Sequence, residues 1–217
     1  MKKTALLVGA TGLVGSELLN LLVNDDNFST ITALTRKPLN IKNTKVNEVL
    51  VDFNTLENHS ESIKADVVFC CLGTTIKTAG SKDAFKKVDY EYPLKIAKIA
   101  KQNGANTYNI ITALGADKNS VFFYNKVKGE IQEALQNLGF EQLNIIQPSL
   151  LLGEREEKRM SEGIGQKLAP IFNNLMIGGL KKYRAIDGRQ VAKAMLYYSL
   201  LQEKGIHYYT NDLLLIV

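Results

Sequence analysis

The feature that most constrains this chain is a glycine-rich turn near its start. An apolar run that ends at Val8 leads directly into Gly-Ala-Thr-Gly-Leu-Val-Gly, and an amphipathic pattern follows. A strand that enters a helix through small residues lets backbone N–H groups approach a diphosphate, and the helix N-terminus adds partial positive charge. We therefore expect a dinucleotide to bind at this turn, against Gly9, Gly12 and Gly15.

Two other interpretations of the same segment are weaker. No Lys-Ser or Lys-Thr pair follows the glycines, as a P-loop requires, so the motif does not predict an NTPase. Lys2 and Lys3 followed by an apolar run also resemble a secretory signal peptide, but the glycines interrupt the run. We interpret the segment as a strand and a turn.

The rest of the chain alternates short apolar runs with amphipathic stretches, which is typical of parallel strands joined by crossover helices. The pattern predicts an α/β fold with a doubly wound parallel sheet. Most of the runs are almost continuously apolar, as buried parallel strands are. The predicted strands are Thr4 to Val8, Thr30 to Thr35, Val46 to Val51, Asp66 to Leu72, Thr107 to Thr112, Leu143 to Gln147 and, more weakly patterned, His207 to Thr210.

Apolar positions at three- and four-residue steps predict the crossover helices. At 217 residues the chain is expected to form one domain, and residues 153–184, which are charged and glycine-rich, are interpreted as a substrate-side elaboration of it. Gly104 and Gly139 lie where two of the helices are expected to end. The predicted helices are Gly12 to Asn24, Ala84 to Gln102, Val121 to Leu138 and Arg189 to Leu201.

Composition excludes several classes of function. The net charge is +5, but the lysines are scattered without interleaved aromatic residues, so we expect a solvated surface and no nucleic-acid partner. No apolar window is long enough to span a bilayer, and no membrane association is expected. Cys70 and Cys71 are the only cysteines, which favours a reduced, cytoplasmic setting. His59 and His207 have no second ligand nearby, so we expect no metal site.

The second predicted strand indicates which dinucleotide binds. An acidic residue at its end would hold the free 2′-hydroxyl of NAD, but Arg36 and Lys37 lie there instead. Cations suit a 2′-phosphate, and arginine can bind it with two hydrogen bonds. This favours NADP (NADPH) over NAD. The alternative is that the two cations only decorate a loop before Pro38.

The ends of the third and fourth strands supply further candidate contacts. Asp52 and Phe53 are placed to meet the amino group and the face of an adenine, or else to form a polar strand end with an inward-facing ring. Leu72, Gly73 and Thr74 follow the fourth strand near the same crevice, where a glycine permits close approach of a ribose.

A tyrosine, a lysine and a threonine suggest the chemistry. Tyr124 and Lys128 are four apart in a helical stretch and share a face, and Thr112 ends the strand before them. A phenol with a neighbouring ammonium suits proton exchange during hydride transfer between a nicotinamide and a carbonyl, with Thr112 steadying the substrate oxygen. Such pairs also arise by chance in a lysine-rich chain. In that case Tyr124 packs on the core and Lys128 is solvated.

Taken together, the motifs resemble those of the short-chain dehydrogenase/reductase superfamily in its atypical branch, and more narrowly the Tat-interacting-protein-like NAD(P)H-binding oxidoreductases. The matching stretches are GATGLVG, LTRKP, VDF, FCCLGTT, VDYEYPLKIA, GADKNS, FFYNKVKGE and QPSLLLGEREEKR, from residue 5 to about residue 160.

The resemblance implies a Rossmann-type fold, NADPH binding and a Ser/Thr, Tyr, Lys catalytic set that corresponds to Thr112, Tyr124 and Lys128. The relatives have a serine pair where this chain has Thr112-Ala113, so one hydroxyl is lost. Beyond about residue 160 little of the sequence aligns with the relatives, so the resemblance does not identify the residues of the substrate pocket. The implied cofactor contacts are Thr11, Gly12, Leu13, Val14, Arg36, Lys37, Leu72, Gly73, Tyr124, Lys128, Leu151 and Arg159.

Three functions compete at this stage. The first is an NADPH-dependent oxidoreductase that reduces a small carbonyl substrate. The second is a non-catalytic NADPH-binding module that docks a protein partner, and self-association into a homo-oligomer is also conceivable. The third is epimerase-type use of the same residues on a sugar nucleotide, which the short chain disfavours.

Overall fold

The structure is a computed structural model that describes residues 1–152 and 178–217. The described strands are β1 Lys3–Val8, β2 Phe28–Thr35, β3 Val46–Leu50, β4 Val67–Cys70, β5 Thr107–Ile111, β6 Gln142–Gln147, β7 Leu151–Leu152, β8 Ile186–Asp187 and β9 Gly205–Thr210. Seven parallel strands form one sheet in the order β3-β2-β1-β4-β5-β6-β9, and β7 and β8 form a separate two-stranded parallel pair. The predicted doubly wound α/β sheet and all seven of its strands are therefore confirmed.

Helices connect the strands and cover both faces of the sheet. Two 3₁₀ helices, Phe53–Ser62 and Gly178–Tyr183, and one π-helical turn, Lys87–Glu91, complete the described elements. Gly104 and Gly139 follow helix ends with positive φ values, as expected. The α-helices are α1 Leu13–Asn24, α2 Ile76–Ala79, α3 Lys82–Lys86, α4 Tyr92–Gln102, α5 Phe123–Gln136, α6 Gly188–Leu200 and α7 Asn211–Leu214.

The alternation of side chains along β1 divides the core into two layers. Ala5 and Leu7 point to the layer that contains the buried faces of α1 and α6. Leu6 and Val8 point to the opposite layer, where α4 and α5 pack. Successive residues of a strand face opposite sides, so a strand covered by helices on both sides is apolar throughout. This explains why the central runs of the sequence show no polar alternation.

The predicted helix Ala84 to Gln102 is interrupted, and this corrects the sequence-based expectation. Residues 82–102 form α3, the π-helical turn and α4 in succession. Pro93 has no N–H to donate to the carbonyl four residues earlier, and the amide of Tyr92 bonds to Lys87 O across the wider turn. The turn carries Asp89, which is buried although it is charged.

The turn between β1 and α1 depends on close backbone contacts. Gly9 has a φ of +88°, and a Cβ on it would lie 2.8 Å from the backbone of Cys71. A Cβ on Gly15 would lie 2.0 Å from Gly9 O, which is far inside contact distance. The first glycine therefore turns the chain beside β4, and the third brings α1 against the end of β1.

The contact at Gly15 gives a direct test of this geometry. We expect Gly15→Ala to destabilise the fold by about 2 kcal/mol or more, because an extra methyl in a packed interior forces the backbone apart. The measurement is the urea unfolding midpoint followed by circular dichroism. Gly179→Ala is the matched control, since a Cβ there meets nothing within 4 Å and the midpoint should not move. Equal midpoints for the two variants would contradict the close contact.

Candidate active site

The site lies where the direction of the sheet's connections reverses. β1 and β4 are neighbours, but α1 follows β1 on one face of the sheet and α4 packs on the other. The chain segments leaving the two strands therefore diverge and form a crevice at their carboxyl ends. Ligands of open α/β sheets bind at this kind of switch point.

One wall of the crevice is the glycine turn. Thr11 and Gly12 are exposed there, and Gly12 caps α1 without any side chain accepting a hydrogen bond from the first helical turn. The first amides of a helix have no partner inside it, so an uncapped N-terminus can bind an anion. The buried side of the turn, including Val14 and Gly15, holds it against the core, with Leu13 half-buried beside it. These residues fit a dinucleotide diphosphate.

The end of β2 lies beside the end of β1 and carries the two expected cations. Arg36 and Lys37 are exposed, and neither forms an ion pair with another described residue. Glu48 of β3, which the sequence analysis missed, accepts hydrogen bonds from Thr35 Oγ1 at 3.1 Å and from Leu39 N at 2.7 Å. These bonds hold both ends of the loop that carries the cations.

The residues after β3 take different positions from each other. Phe53 is 5% exposed and its ring packs against Tyr92, so the ring faces inward. Of the two alternatives that the sequence left open for Phe53, the structure shows the inward-facing ring, and a contact between this residue and an adenine stays a prediction. Asp52 is exposed, and its carboxylate accepts hydrogen bonds from Asn54 N at 2.9 Å and Asn54 Nδ2 at 2.8 Å. Both hydrogen bonds lower the pKa of the Asp52 carboxyl, and the bond from the Asn54 backbone amide has the larger effect.

The opposite wall follows β4 and is joined to the π-helical turn. Thr74 N donates a hydrogen bond to Asp89 Oδ2 at 3.0 Å. A Cβ on Gly73 would lie 3.6 Å from Asp89 Oδ1 and 3.9 Å from Lys128 Nζ, in ordinary contact with both. Gly73 is exposed and Leu72 is half-buried, so this segment borders the crevice on one side and a buried ion pair on the other.

The ion pair joins α5 to the π-helical turn. Lys128 Nζ lies 2.7 Å from Asp89 Oδ1, with the two side chains 5% and 0% exposed. Burial alone would lower the pKa of Lys128. The electrostatic interaction with the Asp89 carboxylate, and after it the electrostatic interaction with Tyr124, oppose burial, and the net effect is a raised pKa. Lys128 is therefore a buried, charged group, and the solvated lysine considered from the sequence is not what the structure contains.

Tyr124 lies one helical turn before Lys128 and is 37% exposed. Its ring packs against Phe85, with 5.6 Å between the ring centroids, and its hydroxyl makes no hydrogen bond to the described residues. A cavity of about 510 Å³ opens beside it. The described lining consists of Ala113, Leu114, Gly115, Tyr124, Pro148, Ser149, Leu150, Lys182 and Tyr183.

Thr112 lies against α5, the helix that carries Tyr124, but its hydroxyl already forms hydrogen bonds within the protein. It is 4% exposed, donates a hydrogen bond to Ile146 O at 3.3 Å and accepts one from Gln132 Nε2 at 2.8 Å. Its position fixes the end of β5 against β6 and α5. The substrate contact expected of Thr112 thus stays a prediction that rests on the resemblance.

Leu151 and Arg159 are the last two expected cofactor contacts along the chain. Leu151 is half-buried in β7 and pairs with Ile186 of β8. Arg159 lies outside the described residues, as does most of the expected elaboration over residues 153–184. The described end of that region is the 3₁₀ helix Gly178–Tyr183, whose last two residues border the cavity.

Besides Glu48, sequence reasoning missed two further polar residues of this site, Asp89 and Gln132. Both are buried and both contact a residue that it had named. The available signal for Gln132 is its spacing, four residues after Lys128 on one helix face. The signal for Asp89 is a carboxylate in an apolar helical pattern just before a proline. Neither pattern by itself identifies the partner.

Comparison with known proteins decides the family. Residues 9–159 match the family model described as NAD(P)H-binding. The chain belongs to this NAD(P)H-binding family. It is 37% identical to Protein HTATIP2 of Rattus norvegicus over 198 residues, covering 89% of this chain and 80% of that protein. It is 34% identical to the mitochondrial Protein FMP52 of Candida albicans, with 97% and 93% covered. The resemblance to Tat-interacting-protein-like proteins is confirmed.

Solved structures of this family's fold confirm the architecture at low identity. MoeE5 in complex with UDP-glucose and NAD aligns with a TM-score of 0.72 at 15% identity, over 94% of this chain and 74% of MoeE5. A short chain dehydrogenase family protein from Francisella tularensis aligns with a TM-score of 0.68 at 15% identity, over 98% and 99% of the two chains. The Rossmann-type fold is therefore established for this member of the NAD(P)H-binding family.

The comparisons leave location open. The Candida relative is named as a mitochondrial protein, whereas the cysteine content of this chain suggests the cytoplasm, and that suggestion stays a prediction. Within residues 1–152 and 178–217, no helix has both the length and the apolar character needed to cross a bilayer. The same residues contain no cluster of potential metal ligands.

The Asp89–Lys128 pair predicts a distinctive effect of mutation. We expect Asp89→Asn to reduce the free energy of unfolding by about 3 kcal/mol near neutral pH, because the variant leaves a buried ammonium without a counter-charge. Urea unfolding measures this. Asp89→Leu combined with Lys128→Met should recover most of the loss, while Glu130→Gln, which breaks a more exposed pair with Lys86, should have little effect.

The pH dependence of the same variant provides a second test. Without Asp89, burial lowers the pKa of Lys128 below its unfolded value, so the unfolded state binds more protons and stability rises with pH. In the wild type the pKa of Lys128 is raised above the ordinary 10.5. The ion pair with Asp89 therefore contributes fully to stability below that pH, and its contribution is lost only above it. The deficit of Asp89→Asn should therefore shrink between about pH 7 and about pH 10. A constant deficit would contradict the fall in the Lys128 pKa that loss of its buried counter-charge predicts.

Proposed function

We propose that this protein is an NADPH-dependent reductase of small carbonyl compounds. The observation that carries the proposal is Tyr124, a partly exposed phenol at the wall of a cavity, one helical turn from the buried ammonium of Lys128. The dinucleotide crevice borders the same ammonium through Gly73. A proton donor, a fixed positive charge and a cofactor crevice therefore meet at one place.

The residues that would hold the cofactor are those of the two crevice walls. Thr11, Gly12 and the first amides of α1 suit the diphosphate, and Arg36 with Lys37 suits a 2′-phosphate. The Lys128 ammonium retains donors that Asp89 does not use, and these suit a ribose hydroxyl. When bound, the reduced nicotinamide supplies the hydride that reduces the carbonyl carbon and leaves as its oxidised form.

Tyr124 acts on the carbonyl oxygen. Its hydroxyl donates a hydrogen bond to that oxygen and transfers its proton as negative charge develops there, giving the alcohol. Lys128 favours the resulting phenolate by its positive charge, and Asp89 keeps the ammonium in place. Ala113, Leu114 and Pro148 place apolar side chains in the cavity wall that Tyr124 also lines.

Removing the phenol tests the reaction. Tyr124→Phe should lower kcat for NADPH-dependent reduction of aldehydes, ketones or quinones by about 10² to 10⁴, since it removes only the proton donor. Its NADPH dissociation constant, measured by calorimetry, should stay close to the wild-type value. Tyr197→Phe, which alters an exposed tyrosine of α6, is the control and should retain full activity.

Two outcomes would overturn the assignment. Undiminished turnover in Tyr124→Phe would exclude this residue as the acid. Tight NADPH binding by the wild type with no turnover of any carbonyl compound would favour a cofactor-binding module that docks a protein partner.

Choice of NADPH over NADH is also part of the proposal. Arg36→Ala should weaken NADPH binding by about 10-fold to 100-fold, which corresponds to loss of a charge-assisted contact with phosphate. The effect on NADH should be small because NADH lacks that phosphate. Lys42→Ala, which removes an exposed cation later in the same connection, is the control. Equal losses for the two coenzymes would contradict a 2′-phosphate contact at Arg36.

A further inference from the structure

We propose that the cavity beside Tyr124 selects carbonyl compounds that carry an anionic group, and that Lys182 binds this group. The inference rests on the proposed reductase function and names its substrate class. It follows from the chemistry of the cavity wall.

The wall is mainly apolar where it surrounds the phenol. Ala113, Leu114, Pro148 and Leu150 contribute no side-chain hydrogen-bonding group. The cavity volume of about 510 Å³ lies in the range of small-molecule sites. The body of the substrate should therefore be apolar and of moderate size.

The polar groups of the wall are few, and one of them is already engaged. The Ser149 hydroxyl donates to Arg184 O, and its amide donates to Asn211 Oδ1 at 3.2 Å. The remaining polar side chains of the described lining are Tyr124, Tyr183 and Lys182. Among the described side chains of the wall, recognition of a polar substrate group therefore falls to these three residues.

Lys182 gives the described wall a single sign of charge. No Asp or Glu is among the described lining residues, and Lys182 forms no ion pair with a described residue. Its ammonium lies 5.2 Å from the ring centroid of Tyr183, which also lines the cavity. A cation that has no counter-ion among the described residues and lies beside apolar surface attracts anions and repels cations.

The two functional ends of the cavity come from different parts of the chain. Tyr124 belongs to α5, whereas Lys182 belongs to the 3₁₀ helix Gly178–Tyr183. A substrate that contacts both must carry its anionic group and its carbonyl on an apolar body between them. Carbonyl acids with an aromatic or short aliphatic body have this chemistry.

The adjacent lysine makes a matched control available. Lys181 and Lys182 are both exposed and lie on the same 3₁₀ helix, but only Lys182 lines the cavity. Lys182→Met and Lys181→Met therefore remove the same charge from neighbouring positions. Any effect of net charge or long-range attraction appears in both variants, whereas a direct contact appears in one.

Binding is measured first, with compounds that cannot react. Calorimetry compares 4-methylbenzoate with its neutral amide, 4-methylbenzamide, on the wild type and both variants. We expect the wild type and Lys181→Met to bind the anion about tenfold more tightly than the amide, as one charge-assisted contact provides. Lys182→Met should bind the two compounds about equally.

Turnover is measured second, with 4-formylbenzoate and 4-formylbenzamide as the aldehydes and NADPH as the reductant. We expect kcat/KM to favour the anionic aldehyde by a similar factor in the wild type, and this preference to disappear in Lys182→Met. The difference should appear mainly in KM, because Lys182 contacts a part of the substrate that does not react.

The possible results separate this inference from the proposed function. Equal binding of anion and amide by the wild type, or an anion preference that survives Lys182→Met, would overturn the assignment of Lys182. Reduction of both aldehydes with equal kcat/KM would do the same while leaving the reductase function standing. An anion preference in binding that Lys182→Met abolishes, with no turnover of these aldehydes or of any other carbonyl compound, would overturn the reductase function but support the anion subsite.

Discussion

The contact between Gly9 and Gly15 determines how the rest of this molecule is arranged. A Cβ on Gly15 would lie 2.0 Å from Gly9 O, so only hydrogen at that position lets α1 start directly at the end of β1. The uncapped amides of α1 then point to the end of the central strand, where β4 and its connection diverge to the other face. The crevice is thus a consequence of backbone proximity and sheet order.

A second constraint completes the site from the opposite face. The buried pair of Asp89 and Lys128 ties the π-helical turn to α5, and Thr74 N bonds the same carboxylate. Desolvating two charges is unfavourable, and it is offset here by their short separation and by this backbone hydrogen bond. The arrangement fixes the ammonium of Lys128 next to Gly73. The phenol of Tyr124, one helical turn away from Lys128, lines the cavity. The proposed cofactor binding and proton transfer therefore use elements from both layers of the fold.

The sequence predicts the framework well because the framework is local. Apolar runs mark the buried strands, and the glycines mark a turn whose geometry only glycine allows. It predicts side-chain partners poorly because these depend on residues distant in the chain. The position of Phe53 after a strand is compatible with a ring that points inward or outward. The packing of the ring against Tyr92, which is distant in the sequence, determines that it points inward. Asp89 meets Lys128 from a π-helical turn, and no periodicity in the sequence indicates that partner.

The central claim is that the turn from β1 to α1 holds the diphosphate of a dinucleotide, and amide NMR tests it most directly. Labelled protein is titrated with NADPH while the resonances of Thr11, Gly12, Leu13 and Gly73 are followed. The account predicts large, saturable shifts at these amides, because they line the two walls of the crevice. Binding that leaves these four resonances unmoved, or no binding at all, would contradict it.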